Sequence, residues 1–224
     1  QVPDTAPYAS KHVLDISNLR INEGGIAARD DDGMHVAAFV GDTTGNRGYS
    51  GLDAALISRV VVSLDSGFSA YQLADPVIIA DVTANGSLSG LDASFVAQKV
   101  VGLTVPQIPV LPTGITPSPA AGGPDPKLSI PQNLSVAAGA MVTVPIVLDV
   151  TEPAGIALLA ADYAVTFDPA RFSVSNVRLG TAISGFSITS NPNNTAGTVV
   201  ISTFSNGAAL NLPNGFSENA ILMD

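Results

Sequence analysis

The first forty residues alternate between apolar and polar side chains at the period of a β-strand. Met34, Val36, Ala38 and Val40 recur at every second position, and shorter apolar runs precede them near Val13. Alternation at period two is typical of strands with one buried face. The pattern predicts two or three strands in residues 1–40.

The period then changes to that of a helix. Over residues 42–103 the apolar positions recur three or four apart, which predicts two helices and a third short helix or turn near 76–79. These apolar positions are Leu52, Ala55, Leu56, Val60 and Leu64 in the first helix, and Leu91, Phe95, Val96 and Val100 in the last.

The next segment, residues 105–126, contains seven of the sixteen prolines. Proline prevents a helix and spoils a central strand, so the segment is predicted to be a semi-rigid, extended linker. Residues 127–224 return to short apolar runs separated by turn residues, a pattern typical of a β-sandwich. The predicted strands are 128–130, 141–150, 160–167, 172–177, 186–189 and 198–204. The predicted fold class is therefore α+β and multidomain.

Composition excludes several classes of function. The formal net charge is −10 and cysteine is absent. The negative charge argues against nucleic acids and anionic membrane surfaces, which attract Lys and Arg. The lack of cysteine excludes disulfides, Cys–His zinc sites and thiol nucleophiles. No run of ~18 apolar residues occurs, so no membrane span is predicted. The abundance of small polar residues and the scarcity of Lys favour an extracellular, bacterial protein.

The helical region contains an internal repeat. Residues 42–64 align without gaps to residues 81–103, and eleven of the twenty-three aligned positions are identical. The conserved part of each copy is a segment rich in Asp, Asn, Ser and Thr, directly before the predicted helix.

The spacing of oxygen-bearing side chains in each copy matches a calcium loop, in which ligands at positions 1, 3, 5, 7, 9 and 12 converge on one ion. Position 7 contributes its backbone carbonyl. The alternative is an Asx turn followed by a helix with Ser50 or Ser89 as N-cap. The candidate ligands are Asp42, Thr44, Asn46, Gly48, Ser50 and Asp53, then Asp81, Thr83, Asn85, Ser87, Ser89 and Asp92.

Residues 41–104 resemble a dockerin domain, an EF-hand-like pair of loop–helix units whose loops end in an acidic residue. The resemblance implies two Ca²⁺ ions and a cohesin as partner. This chain departs from the dockerin pattern with Thr44 and Thr83 at position 3, and with Arg47 in place of the turn glycine. With two formal carboxylates per loop we expect weak affinity, on the order of 10⁻⁴ to 10⁻³ M, and the first site is the weaker candidate.

In dockerins the residues at loop positions 10 and 11 help to contact the partner. Here both copies have Gly-Leu, at 51–52 and 90–91. The resemblance implies a contact surface, and the alternative is that Leu52 and Leu91 are core residues.

Both flanks resemble parts of a cohesin sandwich. Residues 127–224 are similar to its opening strands, and residues 1–40 to its closing strands. The order of domains is then cohesin end, dockerin, linker and cohesin beginning. The motifs are Gly139, Val142, Val144-Pro145-Ile146, Gly155-Ile156, Phe167-Asp168-Pro169 and Gly197 to Ser202 in the second flank, and Gln1-Val2-Pro3, Val13 to Ile16 and Gly33 to Val36 in the first.

Nothing in the sequence predicts an enzyme. His12 and His35 are the only histidines, and neither stands in a pattern with a nucleophile or a carboxylate. We therefore expect a non-catalytic, extracellular assembly or adhesion module, part of a repetitive or self-assembling surface protein. The alternative is a non-catalytic fragment of a large secreted enzyme that acts on polysaccharides.

The partner is expected to be a cohesin- or dockerin-type protein, or further copies of the chain. Residues 1–40 would complete the sandwich by strand addition, either within one chain or between copies as a filament.

Overall fold

The computed structural model describes residues 8, 10–29, 31–118 and 126–224. The motif Gln1-Val2-Pro3 and linker residues 119–125 lie outside the described residues. The described chain comprises a hairpin, a helical unit, an extended segment and a β-sandwich. Among the described residues, none of the helices has the length and apolar character needed to cross a bilayer.

The N-terminal hairpin consists of β1 (Lys11–Leu14) and β2 (Gly33–Val36). The two strands pair antiparallel, and within the described residues they form a two-stranded sheet of their own. Neither strand pairs with a described strand of the sandwich. The prediction that residues 1–40 complete the sandwich within one chain is therefore wrong for β1 and β2. The reason is that Val36, Ala38 and Val40 pack against the core of the helical unit instead, and hold the hairpin there.

The helical unit contains α1 (Gly51–Val61), α2 (Pro76–Ala80) and α3 (Gly90–Val100), where the periodicity predicts helices. α1 and α3 both begin with a capping box, in which the N-cap serine and an Asp at the third helical position bond each other's backbone N–H. Buried alanines, among them Ala54 and Ala93, let α1 and α3 pack closely.

Residues 105–118 have no helix or strand. Val105 and Ile108 are buried in the core of the helical unit. Farther along, the N–H of Ser118 donates to the carbonyl of Asn46 at 2.7 Å. The segment therefore runs back over the helical unit and covers the first loop of the repeat.

The strands of the sandwich are β3 (Lys127–Ser129), β4 (Val144–Asp149), β5 (Ile156–Leu158), β6 (Ala160–Thr166), β7 (Val177–Leu179), β8 (Phe186–Asn193), β9 (Thr198–Ser205), β10 (Leu210–Leu212) and β11 (Ser217–Met223). They form two main sheets, ordered β3-β4-β11-β7 and β6-β9-β8, and a short pair of β5 and β10. All of these strand pairs are antiparallel. Side chains between the sheets, including Ile146, Val199 and Ile221, form a buried core.

One predicted strand is misplaced and three strands were not predicted. The N–H groups of Arg171 and Phe172 donate to the carbonyl of Asp168, so a turn occupies the start of the predicted strand 172–177. The strand of this region begins only at Val177. The unpredicted strands are β5, β10 and β11, and β11 lies between β4 and β7 within the four-stranded sheet.

Candidate metal centre and docking interface

The first loop is organised around the carboxylate of Asp42, which is buried. Its Oδ1 accepts from Thr44 Oγ1 at 3.1 Å and from the N–H groups of Gly45 and Asn46 at 2.9 and 3.2 Å. Its Oδ2 accepts from the N–H of Arg47 at 2.7 Å. One carboxylate thus ties the first six residues of the loop into a ring.

Asp53 closes the same loop from the first turn of α1. Its Oδ1 accepts from the N–H of Thr44 at 2.9 Å, and its Oδ2 from the N–H and the hydroxyl of Ser50, both at 2.8 Å. Asn46 Oδ1 accepts from the N–H of Gly48 at 2.8 Å. All six candidate ligands of the first loop therefore lie in one hydrogen-bonded turn.

Burial raises the pKa of the Asp53 carboxyl, and the nearby charge of Asp42 acts in the same direction. Hydrogen bonds from Thr44 and Ser50 oppose the rise. Neither carboxylate forms an ion pair with any described residue. Two buried anions without a cationic partner are unfavourable, and a divalent cation would offset that cost.

The second loop repeats this arrangement. Asp81 accepts from Thr83 Oγ1 at 3.0 Å and from the N–H groups of Asn85 and Gly86 at 3.1 and 2.7 Å. Asp92 Oδ1 accepts from the N–H of Thr83 at 2.9 Å. The remaining candidate ligands bond in the same way as in the first loop: Ser89 donates to Asp92 through its N–H and hydroxyl, and Ser87 donates to Asn85 Oδ1.

The two loops differ in exposure. Asp42 and Gly48 of the first loop are buried, whereas Asn85 and Ser87 of the second are exposed. All the side-chain donors to a metal would be oxygens, which suits a hard cation such as Ca²⁺. Neither loop brings together three His, Cys, Asp or Glu side chains, and no other described part of the chain does so. The donors of the second loop are of the kind that would hold a calcium ion, with Asn85 and Ser87 exposed and Asp92 buried.

An aromatic cluster closes the first loop, and sequence reasoning did not identify it. The hydroxyl of Tyr8 donates to Asp42 Oδ2 and lies 2.6 Å from the hydroxyl of Tyr71. The Tyr8 ring stacks on Phe39 with centroids 4.7 Å apart. Burial raises the pKa of Tyr71 and of Tyr49, each to about 12, so both remain protonated near neutral pH. No local signal in the sequence joins Tyr8 to a loop that begins at Asp42.

The helical unit docks on the β6-β9-β8 sheet through the first residue of α1. The N–H of Gly51 donates to Asp162 Oδ1 at 3.2 Å and to Asp162 Oδ2 at 3.0 Å. Ser202 Oγ, on the neighbouring strand, donates to the same carboxylate at 2.7 Å. A negative side chain at the N-terminus of a helix is favoured by the helix dipole. Asp162 and Ser202 are thus contact residues that the sequence did not reveal.

Further contacts extend this interface. Phe204 of β9 is buried in the core of the helical unit, and Asn191 Nδ2 of β8 donates to the carbonyl of Val101 at 2.9 Å. At loop position 11, Leu52 is 37% exposed and Leu91 52% exposed, so neither leucine is a core residue. Of the two Gly-Leu pairs, only the pair at 51–52 forms a hydrogen bond with the β6-β9-β8 sheet in the described structure, through the N–H of Gly51. At Gly90, a Cβ would meet nothing within 4 Å.

The two histidines lie opposite each other. His12 of β1 pairs directly with His35 of β2 on the N-terminal hairpin. Both histidines therefore lie on strands, and this hairpin is largely exposed.

Comparison with known proteins identifies part of the chain. No curated protein and no solved structure gives a match. The family model described as Cohesin domain matches residues 126–221, and thereby confirms the resemblance predicted for the second flank. The identified part of this chain is therefore its sandwich, residues 126–221, which is cohesin-like and of a type that serves protein–protein interaction.

Proposed function

We propose that this chain is a non-catalytic, extracellular assembly or adhesion module. In it a calcium-stabilised, dockerin-like unit of residues 41–104 docks on the cohesin-like sandwich. The observation that carries the proposal is the contact of Gly51 with Asp162, where one loop of the repeat meets the β6-β9-β8 sheet. The module is proposed to belong to a repetitive or self-assembling surface protein.

Calcium and docking are coupled through a few residues. Gly51 lies between Ser50 and Asp53, which are candidate ligands at loop positions 9 and 12. A bound ion would supply positive charge to the two carboxylates of a loop and hold its oxygens in place. The N–H of Gly51 would then be oriented toward Asp162 before docking, which lowers the entropy lost in the contact.

The side chain of Asp162 contributes charge to this contact. Its two oxygens accept from the helix N-terminus, and Ser202 holds the carboxylate in place. Hydrogen bonds to a charged group are about twice as strong as neutral ones. Besides the Asn191–Val101 hydrogen bond, the interface contains the apolar side chain of Phe204, which is buried in the core of the helical unit. This combination of one charged contact and apolar burial supports a specific protein–protein interface.

Docking can be measured in the full chain with two spin labels. The sequence has no cysteine, so Ile78→Cys and Met141→Cys provide unique attachment sites. Ile78 on α2 is 64% exposed and Met141 of the sandwich 77% exposed. With excess calcium we expect one narrow distribution of distances between the labels, and a broad distribution after EDTA treatment.

The matched comparison is the same labelled chain with Asp162→Ala, which we expect to broaden the distribution even with calcium present. A broad distribution in the unsubstituted chain with calcium would contradict docking. A narrow distribution that persists after verified removal of all metal would contradict its dependence on calcium.

A further inference from the structure

The carboxylate of Asp42 has no free position for a cation. It accepts from Thr44 Oγ1 and from three backbone N–H groups of the loop, and in addition from the Tyr8 hydroxyl. An ionised carboxylate offers about four lone-pair sites. Three of the loop donors are on Oδ1 and only one is on Oδ2, so the Tyr8 hydroxyl takes the remaining lone-pair position of Oδ2.

The corresponding carboxylate of the second loop is less crowded. Asp81 accepts from Thr83 Oγ1 and from the N–H groups of Asn85 and Gly86, and no tyrosine contacts it in the described structure. At the sixth loop position the first loop has Arg47, whose guanidinium lies 5.9 Å from the centre of the Tyr8 ring, whereas the second has Gly86. The positive charge of Arg47 beside the first loop opposes the entry of a cation.

Tyr8 is held in place by contacts that need no ion. Its ring stacks on Phe39, and its hydroxyl bonds to that of Tyr71. Three residues later, Lys11 Nζ donates to the carbonyl of Gln72 at 2.7 Å. Burial raises the pKa of Tyr8, with smaller contributions from its hydrogen bonds to Asp42 and Tyr71.

We propose that the Tyr8 hydroxyl and a calcium ion compete for the Asp42 carboxylate, so that Tyr8 latches the first loop and the second loop binds calcium first. This inference rests on the proposed calcium function. Release of the Tyr8 hydroxyl from Asp42 then opens the first loop. The two loops of one repeat thereby have different roles, the first controlled by the chain itself and the second by the calcium concentration.

The test isolates the first loop by Asp81→Ala, which disables the second, and then adds Tyr8→Phe. Phenylalanine keeps the stacking on Phe39 but removes the hydroxyl. Calcium titration calorimetry should show an affinity roughly tenfold or more higher with Tyr8→Phe, since a hydrogen bond to a charged group is removed from the competing state. Terbium luminescence excited through Tyr49 and Tyr71 should rise at correspondingly lower terbium concentration.

Tyr163→Phe is the matched control. Tyr163 has a buried hydroxyl that makes no hydrogen bond within the described residues, and it lies in the core of the sandwich. The substitution Tyr163→Phe should leave the calcium affinity of the Asp81→Ala chain unchanged. Should Asp81→Ala lower the far-UV circular dichroism, Asp81→Asn serves as the second background.

An equal or weaker calcium affinity with Tyr8→Phe, or no binding in either chain, overturns the latch. The proposed calcium function is judged separately, in the unsubstituted chain. Binding there that Asp81→Ala abolishes supports calcium in the second loop even where the latch fails. No binding in the unsubstituted chain ends both ideas.

Discussion

The N–H of Gly51 donates to both carboxylate oxygens of Asp162, across a separation of 111 residues in the sequence. This contact joins the first residue of α1 to the outer face of β6. It is also tight, because a Cβ at Gly51 would lie 2.9 Å from Asp162 Oδ1 and 3.0 Å from both Ser202 Oγ and the carbonyl of Thr203. The helix N-terminus and the sheet are therefore complementary in shape as well as charge.

Gly51→Val should separate the helical unit from the sheet, because the added side chain has no space there. Overpacking of this kind costs about 1–3 kcal/mol. Gly90→Val is the matched control, since Gly90 begins α3 in the same way and a Cβ there meets nothing within 4 Å. Calorimetric melting should show a lower transition for Gly51→Val only. Equal losses in both variants would mean that helix propensity, not docking, explains the effect.

Asp162→Ala should weaken docking, because it leaves the N–H of Gly51 and the hydroxyl of Ser202 without their acceptor. A buried donor left unpaired costs about 1–3 kcal/mol. Urea unfolding followed by circular dichroism would measure the loss. Glu218→Ala, which removes an exposed carboxylate from β11, should have little effect. Indistinguishable urea midpoints for the two variants would remove Asp162 from the interface.

Removal of calcium should lower the melting temperature, and excess calcium should restore it, because an ion that binds only the folded loops stabilises the folded state. Asp81→Ala and Asp92→Ala should each reduce this response more than Thr44→Ala, since each removes a charged ligand from the second loop. Differential scanning calorimetry with EDTA and then calcium is the measurement. A melting curve that does not change after verified metal removal would argue against both sites.

The pair Arg59–Asp65 should make stability depend on pH in the acid range. Arg59 Nε and Nη2 donate to the two oxygens of Asp65 at 2.6 and 2.8 Å, and this hydrogen bonding lowers the pKa of the Asp65 carboxyl. A lowered folded-state pKa means that the stabilisation is present above about pH 4 and is lost as the pH falls below it.

Arg59→Lys removes the two-point contact and should cost up to about 1 kcal/mol at pH 7 but little near pH 2. Urea unfolding at the two pH values checks this. Arg171→Lys serves as control, because the Arg171–Asp168 contact is exposed and 3.3 Å long. A loss of the same size at both pH values would contradict the assignment.

Association between copies should depend on the N-terminal hairpin. Val13 and Leu14 are 63% and 60% exposed, although they belong to a strand. Exposed apolar strands favour strand addition to another chain, and a charged side chain on such a strand opposes it. Light scattering should give a mass that rises with concentration, and Val13→Lys should abolish the rise while Ile78→Lys should not. A single monomeric mass at all concentrations would exclude the filament.

The helices and the two loops could be predicted from the sequence because their determinants are local. Ser50 and Asp53, like Ser89 and Asp92, bond each other within three residues, so the capping pattern is visible in the sequence itself. Because residues 81–103 repeat residues 42–64, the same loop and capping residues occur twice in the sequence. The short strands of the cohesin-like part were mostly located by the same kind of local pattern.

Only the tertiary structure decided which distant groups meet. The position of β11 between β4 and β7, the contact of Tyr8 with Asp42 and that of Gly51 with Asp162 join residues far apart in the sequence. The same local pattern therefore led to two different environments: Asp42 is buried beneath Tyr8, while Asn85 and Ser87 of the second loop are exposed to solvent. Local hydrogen bonding determined the shape of each loop, and long-range packing determined what lies against it.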